Sequence, residues 1–421
     1  MKSIELTIRI ISLIFSILVF YKPIFILIGF LVHGKKYPET DVKSRFGILI
    51  AARNEELVIG NLIDSLQKQN YPKELIDIYV VADNCNDSTA KIAKEKGTIV
   101  YQRNDTEHIS KGFALKYLTE QMIKNNQFNQ YDYFVIFDSD NIVDSNFIHE
   151  MNKALATGLD GCVCYRNSKN FESNVISSGY SIHWLFNNMH AHRPRSFLNL
   201  STHATGTGYA FKKELIPNGW TYTDLTEDAS MSLDMISEGK TIGYCEDAEI
   251  FDEQPTGLFT TLRQRLRWKR GTYYSFFTHF FKIIKGFFVN KGARKKLSCY
   301  DCFFTYFPYD IVSMLLGICL NVILIIDGII DHNLNLIPLW KDILSALISS
   351  YLSFFLCGLL AIIKERDKIH CKKSLLIIYV ILYPWFDLIS LPISVFAIFK
   401  KMKWHPIVHK DQRKIEDLKS K

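Results

Sequence analysis

The chain has 421 residues, 48% of them hydrophobic, 14% aromatic and only 22% charged, which excludes a disordered protein and, at this length, one small core. Fifty Lys and Arg against 43 Asp and Glu give +7, too dilute for a nucleic-acid binder and better suited to a basic rim facing anionic lipid. The nine cysteines, Cys85, Cys162, Cys164, Cys245, Cys299, Cys302, Cys319, Cys357 and Cys371, are odd in number and scattered, and read as reduced thiols; Cys299 and Cys302 have the spacing of a redox or zinc pair without the further ligands zinc needs.

Ile10 to Leu31 is an apolar run of spanning length without the small-residue cleavage site of a signal peptide, and reads as a retained anchor. Lys22 within it would cost on the order of 3 kcal/mol unless it snorkels or faces protein, so a bent or shallow helix is an alternative.

From Lys35 to about Arg270 short β-branched runs alternate with amphipathic stretches, the pattern of an α/β domain. Phe46 to Ile50, Ile76 to Ala82 and Tyr133 to Phe137 are expected strands; Glu55 to Lys68 and Ser88 to Glu95 are expected helices. Ligands of open parallel sheets sit beyond the carboxyl ends of the strands, where this chain places Ala51 to Glu55, Asp83 to Ser88 and Asp138-Ser139-Asp140. Neither a GxGxxG nor a Walker loop is present, which argues against dinucleotide and P-loop sites.

Beyond Tyr273 to Phe288, an expected amphipathic interface helix carrying Lys282 and Lys285, three apolar runs follow: Phe307 to Ile326, Ile343 to Ile363 and Leu375 to Phe399. The loop Asp327 to Asp342 is acidic on balance, whereas Lys364 to Lys373 and the tail from Lys400 are basic and belong inside. One anchor and three further spans would instead put the tail outside. Pro384, Asp387 and Pro392 offer a way out, if the last run is a broken or re-entrant segment returning to its starting side; the alternative is that the charge rule is overridden.

Asp138 and Asp140 directly follow the apolar FVIF, so two carboxylates would repel one another at the open end of a buried strand. Hard oxygen ligands with room for phosphate suit Mg²⁺ or Mn²⁺, although the triplet also suits a turn and helix cap. Asp83 to Ser88 reads equally as a turn. Lys111-Gly112 puts a cation at a helix start, against the helix dipole but well placed for a phosphate. Thr226-Glu227-Asp228 opens a helical stretch, and Gln264-Arg265-Leu266-Arg267-Trp268 lies where Arg263, Arg267 and Arg270 share a helical face, which also suits a cationic helix held at the lipid surface.

In order, Ala51 to Glu55, Asp83, Lys111-Gly112, Asp138-Ser139-Asp140, Gly206-Thr207-Gly208, Thr226-Glu227-Asp228 and Gln264-Arg265-Leu266-Arg267-Trp268 resemble the membrane-bound family 2 glycosyltransferases, relatives of cellulose, poly-N-acetylglucosamine, chitin-oligosaccharide and hyaluronan synthases. The resemblance covers nearly the whole chain. It implies an α/β fold: a GT-A, Rossmann-like cytosolic catalytic domain between an N-terminal membrane anchor and C-terminal transmembrane helices. The expected divisions are an anchor over 1–34, the GT-A domain over 35–271, interface helices over 272–306, about three transmembrane segments over 307–400 and a basic tail over 401–421.

The resemblance also implies roles. Asp83 is expected at the uracil or ribose of a UDP-sugar, with the loop carrying Ala51, Arg53 and Glu55 closing over the nucleotide and Lys111 near its phosphates. Asp138 and Asp140 are expected to place Mg²⁺ or Mn²⁺ on the diphosphate. Asp228 is the expected general base of an inverting transfer, Gln264 and Arg267 contact the diphosphate, and Trp268, with Glu227, Gly206 and Gly208, receives the acceptor sugar. The implied enzyme is a hexosyltransferase of the cell membrane that uses UDP-GlcNAc or UDP-Glc to elongate a β-linked polysaccharide, with secretion through its own spans and an accessory subunit as open extensions. A lipid acceptor, giving a glycolipid, is the nearest alternative, and a non-catalytic nucleotide-sugar sensor or assembly subunit the alternative from another class.

The sequence departs from the better-known members where Asp83-Asn84-Cys85-Asn86-Asp87 replaces a DDGS-type run and over His183 to His203, leaving sugar and acceptor open. His190 and His192 alternate as metal ligands do, but histidines beside Arg193 and Arg195 more often form a polar surface or acceptor wall. Trp404-His405 resembles a tryptophan-containing segment that follows the last span in many relatives.

Overall fold

The computed structural model describes residues 2–330, 337–400, 402, 406, 407 and 409–419. The N-terminal run is two helices, α1 (Lys2–Val19) and α2 (Tyr21–Leu31), so the apolar stretch starts earlier than Ile10 and bends at Phe20. Lys22 faces protein: its ammonium donates to the Phe304 carbonyl at 2.7 Å.

The α/β domain then runs β1 (Phe46–Ala52), α3 (Ile59–Gln67), β2 (Ile76–Asp83), α4 (Thr89–Glu95), β3 (Ile99–Arg103), α5 (Lys111–Lys124), β4 (Tyr133–Asp138), β5 (Ile142–Val143) and α6 (Phe147–Ala156). It continues with β6 (Gly161–Ser168), α7 (Val175–Asn187), α8 (Arg193–Phe197), β7 (Tyr209–Lys212), α9 (Glu227–Ser237) and β8 (Ile242–Asp252). One sheet holds all eight strands in the order β3-β2-β1-β4-β7-β6-β8-β5. β1 pairs in parallel with β2 and β4, while β7 is antiparallel to both β4 and β6. Helices cover both faces: Leu62, Ile63, Phe147 and Met151 pack on one side, Leu115, Leu118, Leu233 and Ile236 on the other. Coverage on two sides explains why β1 reads as a continuous apolar run rather than an alternating one, with Phe46, Ile48, Leu49 and Ile50 all fully buried.

One expected boundary moves. The helix expected from Glu55 begins at Ile59, because tertiary hydrogen bonds hold the preceding turn open. Asn54 sits at φ 56°, the Glu55 amide donates to Thr89 Oγ1 at 2.8 Å and the Glu56 amide to Asp87 Oδ2 at 3.1 Å.

Downstream, α10 (Leu258–Val289) is a single 32-residue helix, so Gln264–Trp268 and the expected interface helix Tyr273 to Phe288 are continuous and the expected division at 271/272 falls inside it. α11 (Ala293–Tyr306) folds back on it, followed by α12 (Tyr309–Ile330), α13 (Ile337–Lys364), α14 (Lys373–Leu388), α15 (Ser390–Phe399) and α16 (Ile415–Lys419). α13 runs past both of its expected ends, α12 begins and ends later than expected, and the last run begins earlier, at Lys373, and ends at Phe399 as expected; of the loop from Asp327, residues 331–336 lie outside the described residues. Among the described residues, four stretches are long and apolar enough to cross a membrane: Ile4–Leu31, Tyr309–Ile330, Leu339–Lys364 and Lys373–Phe399.

The last of these is broken at Ile389 and packs on the α/β domain along its length. The Lys372 amide donates to Glu172 at 2.6 Å, Arg265 binds the middle at Phe386, and Arg270 donates to the carbonyls of Ala397 and Ile398 at 3.1 and 2.9 Å. The tail beyond it docks on the same domain: Asn61 donates to the Gln412 carbonyl, Lys68 pairs with Glu416 at 2.7 Å, and Leu418 is buried against Ile142 and Phe251. Both ends of α14–α15 therefore contact the α/β domain, as a segment that returns to its starting side would. Trp404-His405 lie outside the described residues.

Candidate active site

The carboxyl ends of β1, β2, β4 and β8 open into a cleft of about 400 Å³, closed from the other side by the first turns of α5 and α9 and by α10. It collects thirteen of the expected residues: Ala51, Arg53, Glu55, Asp83, Lys111, Asp138, Asp140, Gly206, Glu227, Asp228, Gln264, Arg267 and Trp268.

At its centre Lys111 faces a field of carboxylates. Ser110 caps α5 by accepting from the Phe113 amide, which fixes the helix start. The Lys111 ammonium donates to Asp138 Oδ1 at 2.5 Å and to the Gly206 carbonyl at 2.6 Å, and stands 3.7 Å from Glu227 Oε1. Burial lowers a lysine, but Asp138 and Glu227 outweigh it and leave Lys111 raised. Glu227 and Asp228 occupy the first turn of α9, where the helix dipole favours negative charge. Burial nevertheless dominates: it pushes Glu227 up to about 7, opposed by Lys111 and reinforced by Asp228, and raises Asp228 as well.

Asp83 is less open than expected. Its carboxylate accepts from Arg103 at 2.6 Å, and burial raises it against that pull. Cys85 of the departing run sits beside it, with its thiol toward the Ala52 carbonyl.

Asp138 and Asp140 flank Ser139 at the end of β4. The Asp138 amide donates to Thr207 Oγ1 at 2.9 Å, and Asp140 Oδ2 accepts from the Glu253 amide at 2.9 Å. Burial would raise Asp140, but His409, Lys169, the Glu253 amide and Arg166 hold it below the usual carboxylate range. Among the described residues, no group of three or more His, Cys, Asp and Glu side chains is arranged to hold a metal alone. Two hard carboxylates beside a phosphate-sized space fit a cation completed by substrate oxygens and water, the usual arrangement for Mg²⁺. His190 and His192 are not ligands: His190 Nδ1 lies 2.7 Å from the Phe186 carbonyl, and buried His192 stacks on Tyr244. Cys299 and Cys302 are buried free thiols.

At the opposite end, Gln264, Arg267 and Trp268 face inward from α10. Gln264 Oε1 is buried without a hydrogen-bond partner, while Arg267 donates to the Leu225 carbonyl at 3.0 Å and so ties the loop before α9 to α10. Trp268 lies edge-on to Tyr180 at 6.0 Å and to Trp184 at 5.8 Å, with the Arg166 guanidinium 3.6 Å over Trp184. Aromatic faces of this kind receive the apolar faces of sugar rings.

Gly208 departs from expectation. It does not line the cleft: a Cβ there would fall 2.3 Å from Cys164 Sγ, in the core behind it. Gly206 does line it and has open space around it; its φ of +89° is what calls for glycine.

Sequence reasoning missed Arg166, Trp184, Asp252 to Gln254 and the tail residues Pro406, Ile407 and His409, all in the cleft wall. Asp252 closes β8 and Glu253 and Gln254 follow it; that strand carries Glu246, Asp247 and Glu249 and so does not read as an apolar run. His409 carries no local signal. Burial works against its charge, but Asp140, Glu55 and Glu253 push it up to about 10.

A model of the family described as "Glycosyltransferase like family 2" matches residues 44–271, slightly more than half of the chain. The chain is 23% identical over 384 residues to the probable glycosyltransferase YdaM of Bacillus subtilis, covering 85% of this chain and 83% of that one. It is 26% identical over 302 residues to the poly-beta-1,6-N-acetyl-D-glucosamine synthase of Staphylococcus aureus, covering 64% and 68%. A mannosyltransferase from Pyrobaculum calidifontis, solved with GDP-Man and Mn²⁺, superposes with a TM-score of 0.60 at 14% identity, over 95% of this chain and 99% of that one, a likeness of fold alone. With its GT-A catalytic domain flanked by apolar helices, the chain belongs to glycosyltransferase family 2 and is a membrane-associated glycosyltransferase.

Proposed function

We propose that the protein is an inverting, divalent-metal-dependent transferase that takes a sugar from a UDP-sugar on the cytosolic face and adds it to a growing β-linked saccharide at the membrane. One observation carries this reading: a buried carboxylate with a raised pKa, Asp228, lies in the same cleft as the Asp138/Asp140 pair and the Trp184/Trp268 wall. On this reading donor, base and sugar platform share one cavity.

Arg53, Asp83 and Lys111 hold the nucleotide and its phosphates, and Asp138 and Asp140 would hold Mg²⁺ or Mn²⁺. The cation, when bound, stabilises the negative charge that develops on the departing diphosphate. Asp228 accepts the proton of the acceptor hydroxyl as its oxygen forms the new bond to the anomeric carbon. The carbon–oxygen bond to the diphosphate breaks from the opposite face, so configuration inverts. Lys111 and Gln264 orient the diphosphate, and Trp268 and Trp184 orient the acceptor ring.

A lipid-linked acceptor is the second reading, because the cleft ends at Thr305 and Tyr306 at the close of α11, just before α12 begins at Tyr309. The deciding experiment offers membranes bearing the wild type or Asp228→Asn a panel of radiolabelled UDP-sugars with Mg²⁺, Mn²⁺ or EDTA. Polymer that needs both metal and Asp228 supports the first reading, lipid-extractable label the second, and UDP binding without transfer a non-catalytic subunit.

A further inference from the structure

Within Gln264–Trp268 one long side chain turns away from the cleft. Arg265 is buried, and its guanidinium lies 4.3 Å over the Phe386 ring. It donates to the Phe386 carbonyl and to Ser390 Oγ, and its Nη2 is 3.4 Å from Asp387 Oδ1. These partners straddle Ile389, where α14 gives way to α15. Pro392 has no amide to offer the Leu388 carbonyl, so backbone here is short of helical donors, and a buried guanidinium with five donors suits such a place.

The break also touches the aromatic wall. Phe386 meets Tyr180 edge-on at 4.9 Å, and Tyr180 in turn meets Trp268 at 6.0 Å. Gly179 leaves no slack, since a Cβ there would fall 2.6 Å from the Phe386 ring. Asp387 has a second partner in this wall: its Oδ1 is 3.7 Å from His183 Nδ1 on α7, the residue next to Trp184. One contiguous set of contacts thus joins the broken segment to both tryptophans.

We propose that Arg265 and Asp387 are positioning residues for the acceptor: by clamping the α14–α15 break to α10 and α7 they set the separation and tilt of Trp268 and Trp184, leaving the donor end untouched. The proposal rests on the reading of Trp268 as the acceptor platform. Buried ion pairs of this kind fix geometry more dependably than they add stability, and losing one partner leaves the other charge uncompensated.

The test uses the full chain in lipid nanodiscs, with Arg265→Lys, Asp387→Asn and Trp268→Ala. Chitotetraose and octyl β-glucoside serve as acceptor probes, and UDP release without acceptor reports the donor end. Asp387→Asn is expected to raise the acceptor KM about tenfold or more while donor hydrolysis and UDP affinity hold within about twofold. Near-ultraviolet circular dichroism of the aromatic cluster is expected to change at unaltered far-ultraviolet signal, and this readout needs no acceptor turnover. Arg265→Lys, which keeps charge but not the planar fork, is expected to behave like Asp387→Asn.

An unchanged acceptor KM or near-ultraviolet spectrum in Asp387→Asn overturns the proposal, as does an equal loss at the donor end, which would mark a merely structural role. If Trp268→Ala leaves the acceptor KM alone, the platform reading falls and takes the proposal with it. If Trp268→Ala raises it and Asp387→Asn does not, only the proposal falls.

Discussion

His409 holds both carboxylate oxygens of Glu55, at 2.9 and 3.1 Å, although the two stand 354 positions apart in the chain. Glu253 secures the neighbouring tail by accepting from the amides of Lys410 and Asp411. The tail is therefore a wall of the cleft, held by charge.

That wall has a pH dependence. His409 is raised from 6.5 to about 10 in the metal-free protein, so its stabilising contribution is complete below about pH 6.5 and fades as pH rises towards 10. The difference in melting temperature between wild type and His409→Gln is expected to be largest near pH 6 and to close near pH 10. A difference independent of pH across that range would show that His409 packs without its charge.

Glu227 carries the opposite sign. Its carboxyl is pushed from 4.5 to about 7, so the folded protein prefers the protonated form, and folding loses stability as pH climbs from about 4.5 to 7. Glu227→Gln is expected to be more stable than wild type at pH 8, by on the order of 3 kcal/mol at most, and to match it below pH 4.5. Thermal melts of the metal-free protein at several pH values decide this.

Asp228→Asn keeps shape and removes the proposed base. We expect kcat to fall by roughly 10²–10⁴, with UDP affinity by calorimetry unchanged. In the wild type, the acid limb of kcat/KM should lie above the ordinary carboxylate range, because burial raises Asp228. A limb near pH 4 would point to another base.

The metal pair should respond to both chelation and substitution. EDTA is expected to abolish transfer and Mn²⁺ to restore it, whereas Asp140→Asn should stay weak at any accessible Mn²⁺ concentration. Isothermal titration with Mn²⁺ and UDP together is the check; identical isotherms for wild type and variant would remove Asp140 from the site.

The two glycines of Gly206-Thr207-Gly208 should separate cleanly. Gly208→Ala drives a methyl into Cys164 Sγ at a φ of +67°, and is expected to cost several kcal/mol. Gly206→Ala meets open space and carries only the backbone cost of about 1 kcal/mol. Denaturant midpoints would rank them.

The contrast between these glycines shows what a sequence can reveal. Asp138, Asp140, Glu227 and Asp228 were legible because a parallel sheet presents the ends of its strands, and the first turns facing them, to one side. Lys111 was legible as a cation at a helix start. The facing of Gly208 was not, since it depends on Cys164 and Ile250 from other strands. The delayed start of α3 escaped for a similar reason, as Asp87 and Thr89 claim its first amides. The break in α14–α15 was readable from Pro384 and Pro392, but its clamp by Arg265 was hidden inside a run whose other members face the cleft.

The position of His409 beyond α15 bears on how the protein comes into being. A ribosome finishes β1 through β8 long before it reaches residue 409, so the nascent α/β domain lacks one wall of its cleft while α12 to α15 are still being synthesised. Completion of the site is thereby deferred until the apolar helices have met the bilayer. A polypeptide stalled or clipped before the tail is expected to fold its sheet with that wall of the cleft missing.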